Sequence, residues 1–154
     1  QQGTDPMEHA SSGDDLARIA AREHTDCVVC SASNGRGLRL EFLLGEDGSV
    51  YADFDCPKTF QGYNNFLHGG VTSSLLDGAM TNCLFAHGIA AFTAELNVRF
   101  ELPVDIGEIC TVRAWIQRSH PLLNVLQAEV VQDGKVKATA VGKFMKLNRH
   151  QDKK

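Results

Sequence analysis

The segment between His68 and Gly88 restricts the possible folds of this chain more than any other. Within residues 70–87, apolar side chains occur on most sides of a helical projection. They are Val71, Leu75, Leu76, Ala79, Met80, Cys83, Leu84, Phe85 and Ala86. Gly69 and Gly70 mark the beginning of such a helix, and Gly88 marks its end. Because a helix that is apolar all round must be buried, we expect the rest of the chain to surround it.

Strand-like segments lie on both sides of this helix in the sequence. A short amphipathic helix is predicted over 14–23, because its apolar residues are spaced for one helical face. Alternating and β-rich patterns predict two strands before the buried helix and four after it. Their expected ranges are 38–44, 49–55, 91–102, 108–118, 122–132 and 135–147. This order predicts an α+β fold, in which a curved antiparallel sheet of about six strands wraps a long central helix.

Composition limits the function classes. With 154 residues, 43% of them hydrophobic, the chain is long enough for one domain with a sizeable core. A net charge of −4 argues against nucleic acid as a partner. The sequence has no apolar run of about 18 residues and no signal-like N-terminus, which argues against a membrane and predicts a cytoplasmic protein. We expect a disordered leader at 1–13, a single domain at 14–148 and a polar tail at 149–154, with Met7 as a candidate natural start.

The chain has five cysteines, an odd number. Cys27 and Cys30 form a CxxC pair, whereas Cys56, Cys83 and Cys110 are isolated. A structural zinc site usually has four ligands, most often from two such pairs. No second CxxC and no HxxxH follows the first pair, so the sequence predicts reduced thiols, no metal and no cofactor. A zinc or redox role for the CxxC pair is the alternative.

Asp77 is an acidic residue in the middle of the apolar helix. A buried carboxylate without partners costs several kcal/mol, so it is expected to accept hydrogen bonds or to lie near solvent in a cleft. One explanation for an acid at this position is hydrogen bonding to the hydroxyl groups about one helical turn away, on Ser73, Ser74 and Thr81. A second explanation is the helix dipole, which favours a negative charge in the N-terminal half of a helix. The third explanation is catalysis, because basic and nucleophilic carboxylates occupy such desolvated positions.

The sequence His68-Gly69-Gly70 opens this helix. Backbone N–H groups at a helix N-terminus suit an anion or a developing oxyanion, and a plain tight turn is the alternative. Asp77 lies nine positions after His68. That spacing puts the two on opposite faces, about 13 Å apart along a helix. If both act in one reaction, Asp77 must face the His68-Gly69-Gly70 segment of a second chain, which predicts a homodimer with composite sites.

Three segments carry a resemblance to a known family. They read HGGVTSSLLDGAM, TAELNVRFELPV and AVGKFMKLN, and the upstream CVVCSASNGRGLRLEF and FQGYNNFLHGG extend the match. From about Cys27 to Leu147, the chain resembles the hotdog-fold thioesterases of the PaaI-like and THEM-like type. The resemblance implies a hotdog fold, edge-to-edge homodimers that pair into a dimer of dimers, and hydrolysis of an acyl-CoA substrate without a metal.

The resemblance also implies roles for individual residues. Asp77 takes the position of the catalytic carboxylate, as general base or as nucleophile. Gly69 and Gly70 match the oxyanion-donor turn with His68 beside them, and Thr93 matches a residue that orients the attacking water. The candidate substrate-binding residues are Gln61, Asn64 and Arg99, with Arg118 and Lys146 as further cations for the CoA phosphates. An ordinary solvated face is the alternative for each cation.

Two other functions on the same fold stay open. An acyl-thioester dehydratase or hydratase would use His68 and Asp77 to move protons at Cα and Cβ of the substrate. A non-catalytic acyl-CoA-binding module would bind the thioester without turning it over, and it would need a partner domain. Conversion of enoyl-CoA without release of CoA would favour the first, and tight binding without hydrolysis the second.

Overall fold

The computed structural model describes residues 11–146; most of the predicted leader and the chain from residue 147 onward lie outside this part. Its elements are α1 (Gly13–Glu23), β1 (Leu43–Leu44), β2 (Val50–Phe54), a 3₁₀ turn (Lys58–Phe60), α2 (Gly69–Ala86), β3 (Ala91–Phe100), β4 (Cys110–Ser119), β5 (Leu123–Gln132) and β6 (Lys135–Lys146). Ser12 caps α1, because its Oγ accepts the amides of Asp14 and Asp15 at 3.2 and 3.3 Å. The predicted order of a short helix, two strands, a long helix and four strands is confirmed.

The helix α2 is buried on nearly all sides, as its sequence predicts. Twelve of its 18 residues are buried, and Leu76, Met80 and Leu84 have no exposed surface. It packs against β2, β3, β4, β5 and β6 on one side and against α1 on another. Neither this helix nor any other within residues 11–146 is both long and apolar enough to cross a bilayer. Burial of α2 therefore organises one hydrophobic core.

The strands form one antiparallel sheet in the order β1-β2-β4-β5-β6-β3. The sheet curves around α2, which confirms the predicted α+β architecture of a wrapped central helix. β1, with two residues, forms one edge, and β3, with ten residues, forms the other. Phe92 and Phe100 of β3 are 66% and 56% exposed. A long edge strand with exposed apolar side chains is a surface on which another strand can pair.

The strand predicted at 38–44 exists only at Leu43–Leu44. Arg39 has a φ of 57°, which extended backbone does not allow. The amides on either side of Arg39 donate to carbonyls of the 27–30 turn, at 2.7 and 2.8 Å. The prediction was wrong over 38–42 because this Leu/Phe-rich segment holds the 27–30 turn instead of joining the sheet.

Gly142 lies where β6 passes over α2, and the core there has no room for a side chain. A Cβ atom at this position would lie 2.7 Å from Cε2 of Phe144 and 3.0 Å from both Cε and Sδ of Met80. We expect Gly142→Ala to lower the free energy of unfolding by about 1–3 kcal/mol through overpacking. Urea denaturation measures this, and Gly13→Ala is the control, since a Cβ there meets no atom within 4 Å. Equal midpoints for the two variants would contradict the packing described here.

Candidate active site

His68 caps the N-terminus of α2 with its own ring. Its Nδ1 accepts a hydrogen bond from the amide of Gly70, at 2.8 Å. A ring nitrogen that accepts carries no proton, so the proton of this ring lies on Nε2. The sequence suggested two free amides at this turn. In the structure the Gly70 amide donates to His68, whereas the Gly69 amide has no acceptor within residues 11–146. Of the two predicted donors, only the Gly69 amide is therefore available to a ligand.

The loop before α2 folds back over His68 and leaves two open clefts beside Gly69. The amide of His68 donates to the carbonyl of Phe60, at 2.9 Å. The first cleft, of about 390 Å³, is lined by Gly62, Tyr63, Leu67, His68 and Gly69. The second, of about 440 Å³, is lined mainly by apolar groups, among them Phe66, Phe100, Leu102, Pro103 and Val104. A thioester at the Gly69 amide would therefore have apolar space next to it for an acyl chain.

The two predicted amide side chains lie in this loop. Oε1 of Gln61 accepts the backbone amide of Asn65, at 3.3 Å, so it stabilises the loop itself. Asn64 is exposed in the same loop. Neither side chain lines the two clefts beside Gly69, and both stay predictions as substrate contacts.

Asp77 lies half-buried on α2 and is held by a hydroxyl group from the sheet. Oγ1 of Thr93 donates to Oδ1 of Asp77, at 2.6 Å. The hydroxyls of Ser73 and Ser74 donate instead to backbone carbonyls one turn earlier in α2, each at 2.9 Å. These two hydroxyls therefore do not stabilise the Asp77 carboxylate. Among residues 11–146 no group donates to the second carboxylate oxygen, Oδ2. That oxygen is free to accept a proton or to attack a carbonyl carbon.

The predicted site residues come together in two groups. One group is His68, Gly69 and Gly70 at the N-terminus of α2, and the other is Asp77 with Thr93. Asp77 lies eight positions after Gly69, which is about 12 Å along the helix. Within one chain, a single thioester carbonyl therefore cannot contact both the Gly69 amide and the Asp77 carboxylate.

The strand β3 connects the two groups. Thr93 lies in its first half, whereas its last residue, Phe100, packs on Gly69: a Cβ on that glycine would lie 3.5 Å from Cε1 of the ring. In the ladder between β3 and β6, Thr93 is paired with Phe144 and Phe100 is paired with Ala138. The two partners on β6 are both buried. Because directly paired residues point to the same face of a sheet, Thr93 and Phe100 both face inward.

Arg99 lies on the outward face of the sheet, in neither group. It borders an open cleft of about 540 Å³, together with Glu95, Trp115 and Glu129. As a ligand of CoA phosphates, Arg99 stays a prediction.

One residue that the sequence analysis missed, His24, lies with Cys27 and Cys30 against α2. Their potential ligand atoms lie within 4.8 Å of one another. Burial lowers the pKa of His24, while the negative charges of Asp77 and Glu23 act to raise it. The charge of Asp77 therefore reaches this cluster. The His-x-x-Cys-x-x-Cys spacing was the signal in the sequence that could have found it.

Comparison with known sequences finds a family model whose matched range includes both groups of residues. A family model described as Thioesterase superfamily matches residues 64–139, a range that contains His68-Gly69-Gly70, Asp77 and Thr93. The acyl-coenzyme A thioesterase THEM4 of Bos taurus is 29% identical over an alignment of 117 residues that covers 73% of this chain and 48% of the bovine protein. The chain thus spans about half the length of this curated relative.

Solved structures share the fold. The PaaI protein of E. coli, from the phenylacetic acid degradation operon, superposes with a TM-score of 0.74 at 18% identity, over 88% of this chain and 95% of that one. A hypothetical thioesterase of Streptococcus pneumoniae, solved with coenzyme A, has a TM-score of 0.67 at 14% identity, over 78% and 94% of the two chains. At these identities the likeness concerns the fold.

Proposed function

We propose that this chain, which has the hotdog fold and matches the model of the thioesterase superfamily over residues 64–139, hydrolyses acyl-CoA thioesters to the free acid and CoA. The observation that carries the proposal is Asp77, the only charged residue of α2, with one carboxylate oxygen bound by Thr93 and the other without a donor in the described part of the chain. The acyl-coenzyme A thioesterase among its relatives and the fold neighbour that holds coenzyme A support the choice of substrate.

Two routes use the free oxygen of Asp77. It can take a proton from a water molecule that attacks the thioester carbonyl, or it can attack directly and give an anhydride that water then hydrolyses. In both routes the carbonyl oxygen becomes negative, and the Gly69 amide at the positive end of α2 stabilises that charge. CoA leaves as the thiolate. Because the Thr93 hydroxyl donates its hydrogen bond to Asp77, its oxygen is left to accept a hydrogen bond from the attacking water, in line with its predicted role.

The two groups of residues meet if β3 pairs with β3 of a second copy. We place the two-fold axis at Asn97, in the middle of the exposed strand. After allowing for the bulge in the β3–β6 ladder, Thr93 and Phe100 each lie three ladder positions from Asn97. In a two-fold antiparallel pair they would lie opposite each other on the same face. Thr93 and Asp77 of one subunit would then lie beside Phe100 and Gly69 of the partner subunit, which gives the predicted composite site.

The charged residues on the outward face of β3 support this register of the proposed β3–β3 pair. Glu95 and Arg99 lie two ladder positions from Asn97 on either side, so each glutamate would lie opposite an arginine of the partner subunit. Within its own chain Glu95 already binds Lys143, at 3.3 Å. Opposite charges directly across a strand pair stabilise it, and like charges destabilise it.

Charge reversal at Arg99 should therefore weaken the dimer. Arg99→Glu would create two carboxylate pairs across the axis, and we expect the dimer dissociation constant to rise by about tenfold or more at low salt. Analytical ultracentrifugation measures it. The matched control is the charge-swapped variant Glu95→Arg/Arg99→Glu, which should restore dimerisation. An unchanged dimer in Arg99→Glu, with weaker CoA binding, would instead favour the predicted phosphate contact and move the axis away from Asn97.

The reaction itself is tested with a panel of aryl-, short- and long-chain acyl-CoA substrates, by release of the free CoA thiol. Hydrolysis of one class to acid and CoA is expected. Hydration of enoyl-CoA without CoA release, or tight acyl-CoA binding without turnover, would each contradict the proposal. With its Nδ1 held by the Gly70 amide, His68 could serve a hydratase only as a proton donor through Nε2. Cytoplasmic location and pairing into a dimer of dimers stay predictions.

A further inference from the structure

The side chains of His24, Cys27 and Cys30 form a compact cluster of nitrogen and sulfur ligands outside the proposed active site. Their potential ligand atoms all lie within 4.8 Å of one another, and Nδ1 of His24 lies 3.5 Å from Sγ of Cys30. In a tetrahedral zinc site, bond lengths of about 2.3 Å to sulfur and about 2.0 Å to nitrogen set the sulfur–nitrogen separation at roughly 3.5 Å. The spacing of this pair already matches two ligands of one ion.

Backbone hydrogen bonds fix the turn that carries both cysteines. The amide of Ser31 donates to the carbonyl of Cys27, at 3.1 Å, and the amide of Val29 donates to Sγ of Cys27, at 3.3 Å. The 38–40 segment binds the carbonyls of Val28 and Val29 from the other side. The turn therefore presents both sulfurs from a defined backbone.

The helix α2 holds the cluster in place. Val29 packs on Gly78 so closely that a Cβ there would lie 2.5 Å from Cγ1 of the valine. The ring of His24 meets the ring of Phe85 edge-on, with centroids 4.9 Å apart. The imidazole and the two thiols are thus docked on one buried helix, which lowers the cost of arranging them around an ion.

We propose that His24, Cys27 and Cys30 bind one zinc ion, with water in the fourth position. Imidazole nitrogen and thiolate sulfur are the ligands that zinc prefers, and three protein ligands with one water form a recurring zinc arrangement. Zinc displaces one proton from each thiol, and the two thiolates balance its charge.

Cobalt(II) is the probe, because a tetrahedral cobalt–thiolate site gives a charge-transfer band and intense visible bands. Titration of the full-length, reduced chain is expected to saturate at one ion per chain and to release about two protons per ion. Zinc should displace the cobalt and raise the melting temperature, a readout that does not depend on activity. Absence of the thiolate band in the folded wild-type chain would overturn the proposal.

Single substitutions at the three proposed ligands test where the ion binds. Cys27→Ser, Cys30→Ser and His24→Gln should each lose stoichiometric cobalt binding, while circular dichroism reports whether the fold is kept. Cys56→Ser is the control, because Cys56 belongs to the other close thiol pair, with its Sγ 3.5 Å from that of Cys110; it should keep the band. A band that survives in Cys30→Ser and disappears in Cys56→Ser would place the metal at the wrong pair and overturn the assignment.

Discussion

Replacing Asp77 with asparagine is expected to lower the turnover of acyl-CoA by about 10²- to 10⁴-fold with little change in stability. Asparagine has nearly the shape of aspartate, and its side-chain oxygen can still accept the hydrogen bond from Thr93, which the structure places at 2.6 Å. What it loses is the negative charge and the oxygen that acts as base or nucleophile. Steady-state kinetics by CoA release measure the effect, and a thermal melt checks the fold.

The chain offers a closely matched control for this variant. Asp53 also accepts a hydrogen bond from a threonine, Oγ1 of Thr111 at 2.6 Å, but it lies on β2 and away from both groups of candidate residues. Asp53→Asn is expected to leave turnover unchanged. If Asp77→Asn keeps wild-type turnover, or if both variants lose it equally, Asp77 has no specific part in the reaction.

Gly69→Pro should remove the oxyanion donor and little else. Gly69 is the first residue of α2, the position at which a helix accepts proline best because its amide has no partner inside the helix. His68 has a ψ of 133°, the conformation that a residue before proline prefers. We expect kcat to fall by about 10²- to 10³-fold with a nearly unchanged KM, since the amide bonds most strongly to the charged transition state.

Gly69→Ala is the matched control for the proline variant. It keeps the amide, and its Cβ would lie 3.5 Å from the nearest atom of Phe100, an ordinary contact. Wild-type turnover is expected for alanine and loss of turnover for proline. If the two variants behave alike, the amide is not the donor and the effect comes from the added side-chain atoms.

Mixing the two inactive variants tests whether the site spans two subunits. In a mixed dimer of Asp77→Asn and Gly69→Pro chains, one composite site would combine the intact Asp77 with the intact Gly69 of the other chain. Random exchange makes about half of the dimers mixed, so about a quarter of the wild-type sites should return. A mixture that stays inactive after verified subunit exchange would place each site within one chain.

The fold could be predicted from sequence where the pattern was periodic. The apolar residues of α2 and the alternation in β3 to β6 report burial directly, and burial decides those elements. The segment at 38–42 shows where the pattern misleads. Its leucines and phenylalanine are apolar because they cover the core beside the 27–30 turn, and the positive φ of Arg39 that prevents a strand has no signature in hydrophobicity.

The site could be predicted in part. The acid on an apolar helix pointed to Asp77, and the helix start pointed to Gly69 and Gly70. The hydrogen bond from the Gly70 amide to His68 depends on the rotamer of the histidine ring, so spacing alone could not distinguish one free amide from two. His24 was missed for a different reason. The residues downstream of the CxxC pair contain no ligand pattern, whereas the proposed third ligand lies three residues upstream of Cys27.

The unequal edges of the sheet limit how far these chains can join by strand pairing. The edge formed by β3 offers ten residues, and the opposite edge, β1, offers two. Once two copies pair through β3, the doubled sheet ends on both sides in a strand too short to seed further growth. Association through the backbone therefore stops at two chains and does not continue into a fibre. Within residues 11–146, any larger assembly would then have to use surfaces other than the sheet edges.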